Sequence, residues 1–225
     1  MKLFFLGTGA ADWDPVKSEK GEHRRYTSAL VDDILLIDPG LCVLDAMAEY
    51  NKNISDIKFI INTHRHRDHY DEDTIKTLEQ GGAEFIDFKS GNVKEIGGYT
   101  ISAYTANHGT CAEAVHFIIE KDDKKLFYGL DSAWLLYDEI KAIKEKHIDL
   151  AVLDGTIGNA EGDYRIFEHN NLRMIREMKL TLNPYVDRFA ISHMARTLHE
   201  PQEVLAAEMA NYEIEVAFDG WETEI

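Results

Sequence analysis

Short runs of apolar and β-branched residues recur along this chain between turns of Gly, Asp and Asn, and only a few stretches carry the three-to-four-residue spacing of a helix. Leu3 to Leu6 reads as a strand ending at Gly7. Thr27 to Val31 with Ile34 to Ile37 reads as a hairpin turning at Asp32-Asp33, and Ala114 to Glu120 with Lys125 to Gly129 as another turning at Asp122-Asp123. Lys58 to Asn62 is a buried-type strand, Glu84 to Phe88 a further one, and Val93 to Ile96 pairs with Tyr99 to Thr105. Helical character appears in Asp71 to Gln80, stopped by Gly81-Gly82, and then in Trp134 to Lys146, Asn170 to Lys179 and Pro201 to Asn211. Strands Leu150 to Asp154, Phe189 to Ser192, Glu213 to Ala217 and Glu222 to Ile225 complete the pattern, the last two flanking the turn Asp219-Gly220. β pairs broken by single helices predict sheets covered by helices, an α+β order, better than a regular βαβ repeat. With no Pro-rich or Gly/Ser-rich linker and no repeat, residues 1–225 read as a single domain.

Composition adds that a substantial core is available, since 44% of the residues are hydrophobic and 10% aromatic, which excludes a disordered acidic chain. Against 24 Lys and Arg stand 41 Asp and Glu, a formal charge of −17. Such an excess repels polyphosphate backbones and anionic membranes, so neither long nucleic acid nor a membrane is an expected partner. No window approaches the roughly 20 apolar residues of a membrane span, and Leu3 to Leu6 is too short for a signal-peptide core. Cys42 and Cys111 lie far apart, which indicates neither a disulfide framework nor a Cys-type zinc site. A reducing cytoplasm is the expected location.

The chemistry concentrates in Thr63-His64-Arg65-His66-Arg67-Asp68-His69, directly after the apolar run Phe59 to Ile61. At a strand-to-loop turn, side chains 64 and 66 share one side while the turn swings 68 and 69 toward a neighbouring point. That arrangement suits two adjacent metal ions taking imidazole nitrogen and carboxylate oxygen. Solvated loop charge is the ordinary reading of a lone histidine, but the spacing, the buried strand before it and the histidines downstream argue against it.

On these residues the sequence resembles the metallo-β-lactamase superfamily. Asp38, in Leu36-Ile37-Asp38-Pro39-Gly40, matches the carboxylate that supports the site from behind its ligands. The H-x-H-x-D-H motif matches His64 and His66 on one metal and Asp68 and His69 on the other. His108, in Ala106-Asn107-His108-Gly109, would join the first set, Asp131, in Gly129-Leu130-Asp131-Ser132, would bridge both, and His193, in Ser192-His193-Met194, would complete the second. The resemblance implies an αββα four-layer sandwich holding two divalent ions, zinc or manganese, at one sheet edge.

An aspartate at position 131 disfavours the zinc β-lactamases, which carry another residue there. Leu6-Gly7-Thr8-Gly9, Arg24 to Ser28, Glu168-His169-Asn170 and the closing Phe218-Asp219-Gly220-Trp221 look like the PhnP-like and tRNase Z-like phosphodiesterases. The resemblance implies hydrolysis of a small cyclic or nucleotide-like phosphodiester by metal-bound hydroxide. In it Asp68 would both ligate and orient the nucleophile, and His169 would stabilise the developing charge or protonate the leaving alkoxide. Arg196 and His199 are further candidates to touch substrate, and Arg65 and Arg67 to make the cleft locally cationic. The loop Ala10 to Tyr26 lacks the cysteines with which PhnP-like proteins often bind a third, structural zinc. No long Gly/Pro/Lys-rich insertion between Ser132 and Ser192 offers tRNA an arm. The expected partner is a small-molecule phosphate ester, with a homodimer as the one protein partner admitted. A lactonase or thioesterase on the same scaffold is the alternative. An iron-dependent oxygenase or a non-catalytic metal-bound module ranks lower, because a degenerate module has no need of six ligands and a bridge.

Overall fold

A computed structural model describes residues 1–16 and 22–225 and arranges them as two facing sheets with helices on the outer faces. The first sheet comprises β1 (Lys2–Gly7), β2 (Ser28–Val31), β3 (Leu35–Ile37), β4 (Phe59–Ile61), β5 (Glu84–Phe85) and β13 (Glu222–Glu224), in the order β13-β1-β2-β3-β4-β5. The second comprises β6 (Val93–Ile96), β7 (Tyr99–Thr105), β8 (Val115–Lys121), β9 (Lys124–Gly129), β10 (Ile148–Asp154), β11 (Val186–Ser192) and β12 (Ile214–Val216), in the order β12-β11-β10-β9-β8-β7-β6. The helices are α1 (Val43–Glu49), α2 (Glu72–Gln80), α3 (Tyr137–Lys146), α4 (Leu172–Leu182) and α5 (Gln202–Ala210).

Burial explains the four layers. Leu3, Phe5 and Ile37 of the first sheet and Phe117, Tyr128 and Val152 of the second share one buried cluster between the sheets. Alternate residues of the first sheet, Phe4, Leu30 and Leu36, face Val43, Met47 and Leu78 of α1 and α2. Those of the second, Ile118, Phe127 and Leu153, face Ile143, Ile175 and Leu205 of α3, α4 and α5. The period-two alternation of each strand thus splits between a sheet–sheet core and a sheet–helix core.

Both Asp-Asp turns are as predicted: Asp32 and Asp33 have φ of 52° and 59°, and Asp122 and Asp123 of 49° and 62°. Asp122-Asp123 closes a two-residue hairpin between the paired Lys121 and Lys124, which requires such a left-handed pair, while the β2–β3 turn also takes in Ile34, Val31 pairing with Leu35. The Asp32 carboxylate also ties the sheets together, accepting hydrogen bonds from Lys2 N at 2.7 Å, Tyr99 Oη at 2.7 Å and Lys121 Nζ at 2.8 Å.

Three elements depart from the pattern reading. Helix α1 has the spacing of an amphipathic helix in Val43, Ala46 and Met47, but over only seven residues, too few to stand out from a strand-rich pattern. Helix α3 begins at Tyr137, leaving Trp134 to Leu136 as loop, because the Glu139 side chain accepts a hydrogen bond from Leu136 N at 2.7 Å and fixes the helix start. Helix α4 begins at Leu172, where Asn171 caps it by accepting from Met174 N. The closing turn at Asp219-Gly220 carries the chain from β12 in the second sheet to β13 in the first.

Strands β9, β10 and β11 run parallel, and β7, antiparallel to β8 as β8 is to β9, shares their direction. Their C-terminal ends, with those of the parallel pair β3 and β4, gather the loops that carry the histidine and aspartate residues. Three of these residues sit at left-handed backbone positions: Asp38 (φ 60°), Asp131 (φ 57°) and His193 (φ 63°). Gly40 lets two of the loops press together, since a Cβ there would lie 2.4 Å from the Asp68 carbonyl oxygen.

The terminal segments form a knot beside this edge. Thr8 N and Oγ1 donate to Asp219 Oδ1 at 2.9 and 2.8 Å, Arg25 N donates to Asp219 Oδ2 at 2.7 Å, and Arg24 Nη1 donates to Thr8 Oγ1 at 2.8 Å. The loop Ala10 to Tyr26, from which no cysteine-bound metal is expected, lies partly outside the described residues. Among the described residues no helix is long and apolar enough to cross a membrane.

Candidate metal centre

Asp38 organises the first layer of the site. Its Oδ1 accepts from Thr63 N at 2.7 Å, Thr63 Oγ1 at 2.9 Å and Asn62 Nδ2 at 3.1 Å, and its Oδ2 takes His69 Nδ1 at 2.9 Å. Thr63 Oγ1, having given its proton to Asp38, accepts from His64 Nδ1 at 3.0 Å. On the other sheet Thr156 Oγ1 donates to Asp154 Oδ2 at 2.8 Å and accepts from His193 Nδ1 at 2.7 Å. The three imidazoles are thereby assigned Nδ1–H, and each turns an Nε2 lone pair inward.

Those lone pairs converge on carboxylates. His64 Nε2 lies 3.0 Å from Asp131 Oδ2 and 3.0 Å from His66 Nδ1, which is 3.1 Å from His108 Nε2. His69 Nε2 lies 3.2 Å from His193 Nε2, 3.4 Å from Asp68 Oδ2 and 3.3 Å from Asp131 Oδ2. The structure therefore brings together His64, His66, His108 and Asp131 in one group and Asp68, His69, Asp131 and His193 in the next, with Asp131 common to both.

Lone pairs and carboxylate oxygens packed this tightly repel one another unless a cation or protons lie between them. Four ligand atoms held tetrahedrally about 2.0–2.1 Å from zinc are about 3.3 Å apart, and the separations just given bracket that value. Asp131 Oδ1 and His108 Nδ1 are also buried without a hydrogen-bond partner. The donor set fits divalent metal ions.

The titration behaviour has the same origin. Burial alone would lower His69 and His193, but Asp68 and Asp38 raise His69 well above the ordinary imidazole value, and Asp131, Asp154 and Asp68 lift His193 to about 10. Asp131, which burial would raise, is held well below the usual carboxylate range by His193, His64 and His69. His108 is pushed down to about 4, chiefly by burial.

His169 joins the same cluster. Its Nδ1 lies 3.1 Å from Asp154 Oδ2 and 3.1 Å from Asp131 Oδ1, and its side chain keeps 14% of its surface exposed. Asp154 escapes a motif-based reading, yet it is fully buried and also accepts from Thr156 N and Asn170 N. The signal was there: Asp154 ends the apolar run Leu150 to Leu153 as Asp38 ends Leu35 to Ile37. His199 turns to the Thr156 carbonyl at 3.1 Å, and Arg196 is exposed with its backbone N–H on Asp12, so among the described residues neither joins a ligand group. Beneath Asp131, the buried His116 pairs through Nδ1 with Glu139 at 2.5 Å and donates from Nε2 to the Leu130 carbonyl at 3.1 Å.

No protein-family model and no curated protein matches the chain. Among solved structures, the metallo-β-lactamase fold protein YhfI from Bacillus subtilis matches with a TM-score of 0.77 at 16% identity, over 100% of this chain and 99% of that one. Zinc-bound PqqB from Methylobacterium extorquens matches at 0.75 and 14% identity, over 100% of both chains. A diphosphatase of the PhnP family matches at 0.75 and 16% identity, over 100% of this chain and 97% of that one. At such low identities the likeness speaks for architecture, and this chain has the metallo-β-lactamase fold.

Proposed function

We propose that this chain is a dinuclear metal-dependent hydrolase of a small phosphodiester. The observation that carries the reading is the sharing of Asp131 by two complete ligand groups, with His169 against the same carboxylate. His64, His66 and His108 would hold one ion, and Asp68, His69 and His193 the other. Mixed imidazole and carboxylate ligation suits zinc or manganese, and one structural relative was solved with zinc bound. Two divalent ions there would lower the pKa of a coordinated water toward neutrality and neutralise charge on the phosphoryl oxygens.

The chain's own residues supply the rest. Asp38 and Thr156 fix which nitrogen of His69 and His193 faces inward. Asp154 holds His169 by Nδ1, leaving Nε2 as the nitrogen that carries a proton to the departing alkoxide. Asp68 orients the attacking water through a carboxylate oxygen. The structural relative described as a PhnP-family diphosphatase supports phosphorus chemistry over lactone or thioester hydrolysis.

The test is an assay of the protein reconstituted with zinc or manganese against cyclic phosphodiesters, linear phosphodiesters, lactones and thioesters. Turnover of a phosphodiester is expected; activity on lactones or thioesters alone overturns the reading.

A further inference from the structure

Asp131 is common to both ligand groups, yet its carboxylate has little support of its own. Asp38 and Asp154 each accept hydrogen bonds from a backbone N–H and a hydroxyl. Among the described residues the Asp131 carboxylate meets only imidazoles, those of His64, His69, His108, His169 and His193. Its Oδ1 is buried without a hydrogen-bond partner. The backbone alone therefore sets where this carboxylate stands, and at Asp131 that backbone is left-handed, φ 57°, a conformation that its surroundings must hold.

Those surroundings close on the loop between β9 and α3 from two sides. At its start the Leu130 carbonyl accepts from His116 Nε2 at 3.1 Å, and at its end Leu136 N donates to Glu139 Oε2 at 2.7 Å. Glu139 Oε1 meets His116 Nδ1 at 2.5 Å, so one chain of hydrogen bonds joins both ends of the loop. Its middle is stitched to Asn107, the residue before His108: Ala133 N donates to the Asn107 carbonyl at 3.1 Å, and Asn107 Nδ2 to the Trp134 carbonyl at 3.2 Å.

His116 and Glu139 are fully buried. On β8, His116 shares the helix-facing side with Ile118, and its ring packs edge-on to Phe127. An apolar side chain would suit that row, and a buried ion pair is not by itself a net source of stability. What an apolar side chain lacks is a donor for the Leu130 carbonyl.

We infer that His116 and Glu139 are positioning residues for the metal bridge: they hold the backbone that carries Asp131, and through it the carboxylate that two ions share. The inference rests on the dinuclear reading and adds two residues on which that site depends.

Competition with a chromogenic chelator tests it without any assay of turnover. His116→Phe and His116→Leu, each combined with Glu139→Gln, remove the buried charge and the tie to Leu130 while leaving Leu136 N an acceptor. Both double variants should bind zinc roughly tenfold more weakly than the wild type, the low side of what losing a partner behind a ligand costs. Their cobalt-loaded forms should show a displaced visible absorption band. Glu139→Gln alone should match the wild type in both readings, because an amide offers its oxygen to Leu136 N and an N–H to His116 Nδ1, leaving His116 Nε2–H on the Leu130 carbonyl. Ile143→Ala, a core truncation in the same helix, should weaken the fold in urea without weakening zinc binding. Wild-type affinity and spectrum in a double variant, or an equal loss of affinity in Ile143→Ala, overturns the positioning role. Wild-type protein that takes up a single ion overturns the dinuclear reading instead, and a tenfold loss for that ion in the double variants, absent from Glu139→Gln, still upholds the role of the pair.

Discussion

His69 and His193 face each other through their Nε2 atoms at 3.2 Å, while Asp38 and Thr156 hold their Nδ1 atoms from opposite sheets. With metal absent, the surrounding carboxylates raise the pKa of both rings, His193 to about 10, and so favour protons among the facing Nε2 atoms and carboxylate oxygens at neutral pH. A metal ion must displace those protons, so affinity rises with pH and falls as the medium is acidified. Zinc titration at pH 7 in buffers of different ionisation enthalpy should register release of at least about one proton per chain. Heats that do not depend on the buffer would sink this account.

Asp131 and His169 should separate metal loading from turnover. Asp131→Ala removes the carboxylate common to both ligand groups and should reduce the metal content of the purified protein. His169→Ala should keep both metals yet lower phosphodiester turnover at least roughly tenfold, the low side of a general-acid contribution. Elemental analysis beside steady-state kinetics decides both, and full metal occupancy in the Asp131 variant or unchanged turnover in the His169 variant removes the corresponding role.

Glu139 and His116 form a buried pair whose two ends fix the start of α3 and the Leu130 carbonyl. Removing one partner strands the other in a dry interior and uncaps the helix, so Glu139→Ala should cost about 3–5 kcal/mol. Urea unfolding of the metal-free protein measures this; a loss below about 1 kcal/mol would mean that the pair is incidental.

Asp32 provides an acid-sensitive tie between the sheets. Burial raises its pKa, but Lys121, the Lys2 N–H and the Tyr99 hydroxyl outweigh it and hold the carboxyl below its ordinary value. A depressed folded-state pKa contributes stability above the unfolded carboxyl pKa of about 3.9 and loses it as pH falls through the lower folded value. The stability difference between wild type and Asp32→Asn should therefore be level near neutrality and shrink below about pH 4. A difference that grows on acidification would contradict the assignment.

Much of the strand order and the His64-to-His69 part of the cluster were legible in local spacing, whereas Asp38, His108, Asp131 and His193 were legible only through the resemblance. Two Asp-Asp pairs between alternating apolar runs mark hairpins, and H-x-H-x-D-H after a buried strand marks candidate ligands. Asp154 was not legible as a site residue, because its meaning comes from β10 lying beside β11, a pairing that places it under His193 and His169. Glu139 carries no local mark of its role, because its partner His116 lies 23 positions away in the sequence. Helix α1 was hidden by brevity, and the loop status of Trp134 by a helix start that depends on the Glu139 carboxylate.

Asp38, Asp131 and His193 share left-handed backbone angles, whereas His64, His66, Asp68, His69 and His108 do not. Only Gly, Asn, Asp and His adopt that conformation with any ease. At those three positions the chain's path narrows the choice of residue before any metal does. In a related chain that had abandoned catalysis, the two aspartates and the late histidine could persist as geometry alone. Drift at the other five would be the earlier and more telling sign that the chemistry had gone.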